Sequence, residues 1–332
     1  MGWDGMLGIR LSVIALAFCA CVSLATESTA VEIDWVTVSG QGNACDLKPQ
    51  GCFGKVDYAY RVGKYEVTNA QYAEFLNAVA STDTYGLYSG TMGSGMGGIV
   101  RTDSQSGYSY AAIVGRESKP VNFVSFYNTL RFSNWLHNGQ PVGSQGNATT
   151  EDGAYSLTSL GMNFNQIGRN TDASVFLTSE DEWYKAAFYD GVTQSFFDFA
   201  SENDSQIECA APSSALDSAN CLGALGVPSF VGAYLNSIGP NGTFDQTGNL
   251  SEWTESRYGN FGRVVRGGSF RTGSISALSA NSRSSSTASF PGQEFIGFRV
   301  ASVIPEPSTA LLLGMGLLGL SGWGRRNRRD YS

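Results

Sequence analysis

Histidine is nearly absent: the 332-residue chain holds one, His137. That nearly excludes a Ser-His-Asp triad, a multi-His zinc site and a His-based iron site. Charge is sparse as well, at 15% of residues, and it leans acidic, with 21 Lys+Arg against 29 Asp+Glu and a net charge of −8. That acidic balance argues against a nucleic-acid footprint, which needs clustered Lys and Arg, and nucleic acid is not an expected partner. Proline is low at 9 residues, while glycine reaches 41 without a strict period, which suggests a loop-rich domain rather than a collagen-like one. Apolar residues make up 42% and aromatics 12%, enough for a real core, so global disorder is excluded.

Both ends read as addresses. Arg10 precedes the apolar run from Leu11 to Phe18, and Ser23-Leu24-Ala25 supplies small residues for cleavage. This predicts a signal peptide over residues 1–25, with a second cleavage option after Ala30. At the other end, Pro305-Glu306-Pro307 is followed by an apolar and glycine-rich stretch from Ala310 to Trp323, then Arg325, Arg326, Arg328 and Arg329. An apolar segment stopped by a basic cluster leaves its positive end in the cytoplasm. The order Pro-Glu-Pro, short apolar helix, Arg cluster resembles the PEP-CTERM sorting signal of Gram-negative bacteria. The resemblance, over residues 304–332, implies that an exosortase removes the tail after Pro305-Glu306-Pro307, with a transient stay in the inner membrane and delivery to the cell surface or extracellular matrix. A permanent tail anchor is the alternative.

Six cysteines fit that address. Cys19 and Cys21 leave with the signal, and the body keeps Cys45, Cys52, Cys209 and Cys221. In an oxidising compartment the simplest of three connectivities is Cys45–Cys52 with Cys209–Cys221. Each short loop would add ~2–3 kcal/mol on the loop-entropy account.

The body, residues 31–303, reads as one domain with three marked helices. Thr68 and Gln71 form a capping box before Tyr72, Phe75, Leu76 and Val79; Ser125 opens a helix over Phe126 to Leu136; Ser179 and Glu182 box a third helix running to Gly191. Short strands are expected at 231–234, 263–266, 268–270 and 296–300, and the glycine- and serine-rich stretch 85–110 reads as loop or insertion. Helices early and irregular strands late give an α+β domain.

Five segments then occur in order: Val62-Gly-Lys-Tyr-Glu-Val-Thr-Asn69, Pro120-Val-Asn-Phe-Val-Ser125, Leu177-Thr-Ser-Glu-Asp-Glu-Trp183, Asp245 to Trp253, and Arg266-Gly-Gly-Ser-Phe270 with Gly297-Phe-Arg299. Together they resemble the formylglycine-generating enzyme (sulfatase-modifying factor) family from about Asp34 to Ala301. The resemblance implies a variant of the C-type lectin fold with low regular secondary structure, bound calcium, and framework roles for Glu66, Asn69, Arg266 and Arg299. Active members hold copper with two cysteines just after the Gly-Gly-Ser-aromatic strand. Those positions are Thr272 and Ala277, neither able to supply the thiolate that copper(I) needs. Copper and formylglycine-generating activity are therefore not expected.

The resemblance also assigns a calcium loop, with side-chain oxygens from Asp245 and Glu252 and carbonyls from Gly248 and Leu250. Calcium takes six to eight oxygens of these kinds. A second family site would fall near Asn220 and Cys221. The Ser-rich run from Leu278 to Ser289 lies where lectin-fold relatives present ligand surface, with Thr272, Ser279, Asn281 and Arg283 as candidate contacts; a solvated idle loop explains the same composition. His137, at a helix end, is read as a cation favourable to the dipole. The expectation is an exported, non-catalytic binding or structural module, with an extracellular polysaccharide or a surface protein as candidate partner. The alternative is an accessory oxidoreductase of altered chemistry in the same groove.

Overall fold

Helices form where caps and apolar spacing coincide. In the computed structural model, which describes Met1 and residues 30–304 apart from Pro291, α1 spans Asn69–Val79, α2 Phe126–His137, α3 Ser159–Asn163 and α4 Glu180–Phe188. The boxes at Thr68/Gln71 and Ser179/Glu182 are both formed, and Ser125 Oγ accepts from Asn128 N. These contacts satisfy amides that a helix start otherwise leaves unpaired. Helix α4 stops at Phe188 rather than Gly191, because Tyr189–Asp190 pair with Ser195–Phe196 as a short ladder. The expected signal segment and the tail beyond Ile304 lie outside the described residues. Among the described residues, no helix is long and apolar enough to cross a membrane.

Two four-stranded sheets carry the body. The first runs β1 (Trp35–Val38), β2 (Tyr60–Gly63), β8 (Val300–Val303), β3 (Val175–Leu177), all antiparallel. The second runs β6 (Ser284–Thr287), β5 (Gly262–Arg266), β4 (Ser251–Tyr258), β7 (Ile296–Gly297), antiparallel except for the parallel β4–β7 pair. The expected strand 296–300 is thus two strands. Phe298 and Arg299 step from one sheet to the other and are fully buried. The main core gathers Tyr72 and Phe75 from α1, Phe132 and Trp135 from α2, and Phe298 from the crossover. Their rings meet mostly edge-on or tilted, the arrangement aromatic quadrupoles favour.

Three other expectations are corrected. The stretch 85–110 carries an ordered hairpin, Ile99–Ser104 with Gly107–Ala112, clamped to α1 through Asn77 Nδ2 to Tyr110 O and Tyr110 N to Asn77 Oδ1, both 2.8 Å. Residues 231–234 form turns, since Gly232 sits at φ 68°. Residues 268–270 are no strand either: Gly267 and Gly268 have φ of 93° and 66°, which ends β5 at Arg266 and turns the chain.

Both expected disulfides are formed, Cys45–Cys52 and Cys209–Cys221.

Candidate functional site

The chain between β5 and β6 builds one wall of a groove of about 450 Å³. Thr272 and Ala277 both line it, so the two positions the resemblance assigns to copper-binding cysteines do face one space. Thr272 Oγ1 accepts from Ser269 N at 2.7 Å, which shapes the turn. Arg283 lines the groove too, whereas Ser279 and Asn281 do not. Ser279 donates its hydroxyl back to Ser276 O at 2.9 Å, and Asn281 is exposed outside the lining. All four cysteines among the described residues are in disulfides, so none of these offers a thiolate.

Two arginines of the groove depend on Glu180. Arg266 gives it Nε and Nη2 at 2.9 and 2.5 Å; Arg283 gives it Nε and Nη2 at 2.8 Å each. Sequence reasoning gave Glu180 no part in the groove and missed this. The signal was present only as Arg266 and Arg283, whose shared partner is remote in sequence.

Beneath the groove, the 245–252 loop turns tightly. Asp245, Gly248 and Asn249 all have positive φ, and a Cβ on Gly248 would stand 2.6 Å from the Asn220 carbonyl oxygen. Glu252 is completely buried and accepts from Arg299 at 2.6 Å on each oxygen, and from Trp183 Nε1 at 2.7 Å. Arg299 also donates to Gly63 O and Phe244 O, tying the first sheet to the second. Asp245 Oδ2 accepts from Gly232 N at 2.6 Å, and Glu66 accepts from Leu250 N and Asn249 Nδ2.

Three buried carboxylates, Glu66, Asp245 and Glu252, therefore surround one guanidinium. The excess of two negative charges is costly in a dry interior. Burial pushes the Asp245 carboxyl from 3.8 up to about 6, and burial with Asp245 and Glu252 nearby pushes Glu66 well above the usual carboxylate range. A divalent cation fits this charge, and the loop's oxygens are of the kind calcium takes. Glu252 is already held by Arg299, however. Among the described residues no group of three or more His, Cys, Asp or Glu side chains is placed to hold a metal. An ion would have to rest on Asp245, the Gly248 and Leu250 carbonyls and water, sharing Glu252.

His137 ends α2, and its Nδ1 accepts from Ser174 N at 3.0 Å and lies 2.8 Å from Ser174 Oγ.

The sulfatase-modifying factor enzyme 1-like domain matches residues 54–304, and the PEP-CTERM protein-sorting motif matches residues 303–329. Among solved structures, the chain is similar to Treponema denticola variable protein 1, at 16% identity over 83% of this chain and 97% of that one, with a TM-score of 0.52. CarF matches at 20% identity, TM-score 0.46, over 82% of this chain and 99% of that one. PvdO from Pseudomonas aeruginosa matches at 16% identity, TM-score 0.42, over 82% and 92%. No curated protein matches the chain.

Proposed function

This chain belongs to the sulfatase-modifying factor family and carries a PEP-CTERM motif that marks it for export, and we propose that on this scaffold it is a non-catalytic binding module. The observation that carries the reading is the groove itself. Where the resemblance places a thiol pair, the wall offers Thr272 and Ala277, surrounded by serines and arginines. Hydroxyls and guanidiniums bind and orient a ligand, but they supply neither a soft metal ligand nor an activated nucleophile. Export proceeds with loss of the segment before residue 26 and trimming of the tail by an exosortase at the cell envelope. A calcium at the 245–252 loop would rest on Asp245 and the Gly248 and Leu250 carbonyls and share Glu252, and its charge would offset the buried excess of carboxylate.

The test is conversion of a cysteine peptide bearing a sulfatase motif, with copper supplied. Unchanged peptide mass is the expected result, and formylglycine formation overturns the proposal. Intact mass of native protein checks the processing, and a mass retaining Arg325 to Arg329 contradicts the trimming.

A further inference from the structure

Arginine gathers at this groove although the chain as a whole is acidic. Arg266, Arg271 and Arg283 line it, and no carboxylate does. Arg266 is buried, and each of its three guanidinium nitrogens is engaged, by Glu180 and by the carbonyls of Ala280 and Ser282. The other two keep donors in reserve. Arg283 uses Nε and Nη2 on Glu180, and among the described residues its Nη1 has no acceptor. Arg271 gives Nη1 to Glu294, and its Nε and Nη2 have no acceptor among the described residues; its side chain is 53% exposed. Glu180 is the carboxylate bonded to Arg266 and Arg283, Glu294 takes one donor of Arg271, and Asp181 acts on Arg283 without a hydrogen bond. Free guanidinium donors beside an open space suit a carboxylate, through short charge-assisted bonds.

A second, neutral surface adjoins it. Strand β6 pairs only with β5 and lies at the sheet edge. Ser284 lines the first groove; Ser285, Ser286 and Thr287 line a neighbouring open one of about 430 Å³ with Tyr258, Phe290 and Gln293. No charged side chain lines this second space. Tyr258 and Phe290 are 44% and 51% exposed, large rings left uncovered beside a row of hydroxyls. The Arg283 guanidinium lies 4.9 Å from the Tyr258 ring centre, which joins the two surfaces at one residue.

We propose that these surfaces form one binding strip for an extended acidic glycan, with a uronate carboxylate at Arg271 and Arg283 and neighbouring sugar rings on Tyr258 and Phe290. The inference rests on the reading of the groove as a ligand site. A sugar ring presents an apolar face and a hydroxyl rim, and the second surface offers exposed aromatic area with serine, threonine and glutamine at its border. An acidic peptide would use the arginines but would leave the hydroxyl row and the rings without matched partners.

The test is calorimetric titration of the full chain with trigalacturonate, maltotriose and triglutamate. Trigalacturonate should bind at least tenfold more tightly than either of the others, and more weakly as salt rises. Arg271→Gln and Tyr258→Ala should each weaken it at least fivefold, while Arg101→Gln, on the distant-in-sequence hairpin, should leave it unchanged. Both weakening variants alter part-exposed side chains, and their melting curves verify folding. Equal affinity for maltotriose, tighter binding of triglutamate, no binding of trigalacturonate, or indifference to both variants overturns the inference. Thr272→Trp fills the groove and separates the two proposals. If it abolishes binding of triglutamate or maltotriose instead, the binding-module reading stands and the acidic-glycan inference falls.

Discussion

Two arginine–carboxylate clusters stand a strand apart and have opposite imbalances. At the crossover between sheets, Glu252 and Arg299 are completely dry, and two further carboxylates, Glu66 and Asp245, crowd the same guanidinium. At the groove, one carboxylate, Glu180, faces two guanidiniums, and Arg283 is partly open to solvent. The same residue types give a frame in the first case and a recognition surface in the second. Solvent access and the sign of the excess decide which. A dry excess of negative charge is relieved by protons or a cation, whereas an accessible excess of positive charge leaves donors to offer a ligand.

The largest way to break this contrast is to unpair the dry cluster. Arg299→Met leaves Glu252 buried with no counter-ion, and the expected loss is about 3–5 kcal/mol in urea denaturation. Glu252→Ala does comparable harm by stranding Arg299, so it cannot serve as a clean probe of calcium.

Asp245 gives the next effect. Its carboxyl is held above its unfolded value, so its stabilising contribution is complete below pH 3.8 and is lost as pH rises through about 6. In chelator, stability should therefore fall across that window by an amount on the order of 3 kcal/mol. Saturating calcium should reduce that fall, and Asp245→Asn should lose the share that belongs to Asp245 and keep the share that Glu66, also raised by burial, contributes. A wild-type profile that is flat in chelator contradicts the buried-charge account.

Smaller effects belong to the groove. Ser179→Ala removes the cap of α4, which carries Glu180, and should cost about 1 kcal/mol of stability in thermal melts. Arg271→Gln should shift stability by no more than about 0.5 kcal/mol, because its ion pair with Glu294 is solvent-exposed. A loss from Arg271→Gln as large as that from Arg299→Met would erase the distinction between frame and surface.

Local signals in the sequence identified the helices: caps at Thr68, Ser125 and Ser179 formed as the residue types predict, because capping needs only neighbours three positions away. The family segments located the groove, bringing Thr272 and Ala277 to one wall. Long-range pairing was not legible. Nothing local says that Gly262 faces Thr287, so the strip formed by Tyr258, Phe290 and β6 was invisible. The hairpin at 99–112 was hidden for a related reason: its first strand is exposed at five of six positions, which removes the alternation that betrays a half-buried strand. Glu252 was legible as an acidic residue in the right loop, but its capture by Arg299, 47 residues away, was not.

The most direct measurement is a paired thermal-shift titration, with calcium and with trigalacturonate, on wild type, Asp245→Asn and Arg271→Gln. The account predicts that Asp245→Asn loses the calcium response and keeps the uronate response, and that Arg271→Gln does the reverse. Loss of both responses in one variant, or retention of both in each, would contradict the claim that opposite charge imbalances divide this molecule into a cation-balanced frame and an anion-binding surface.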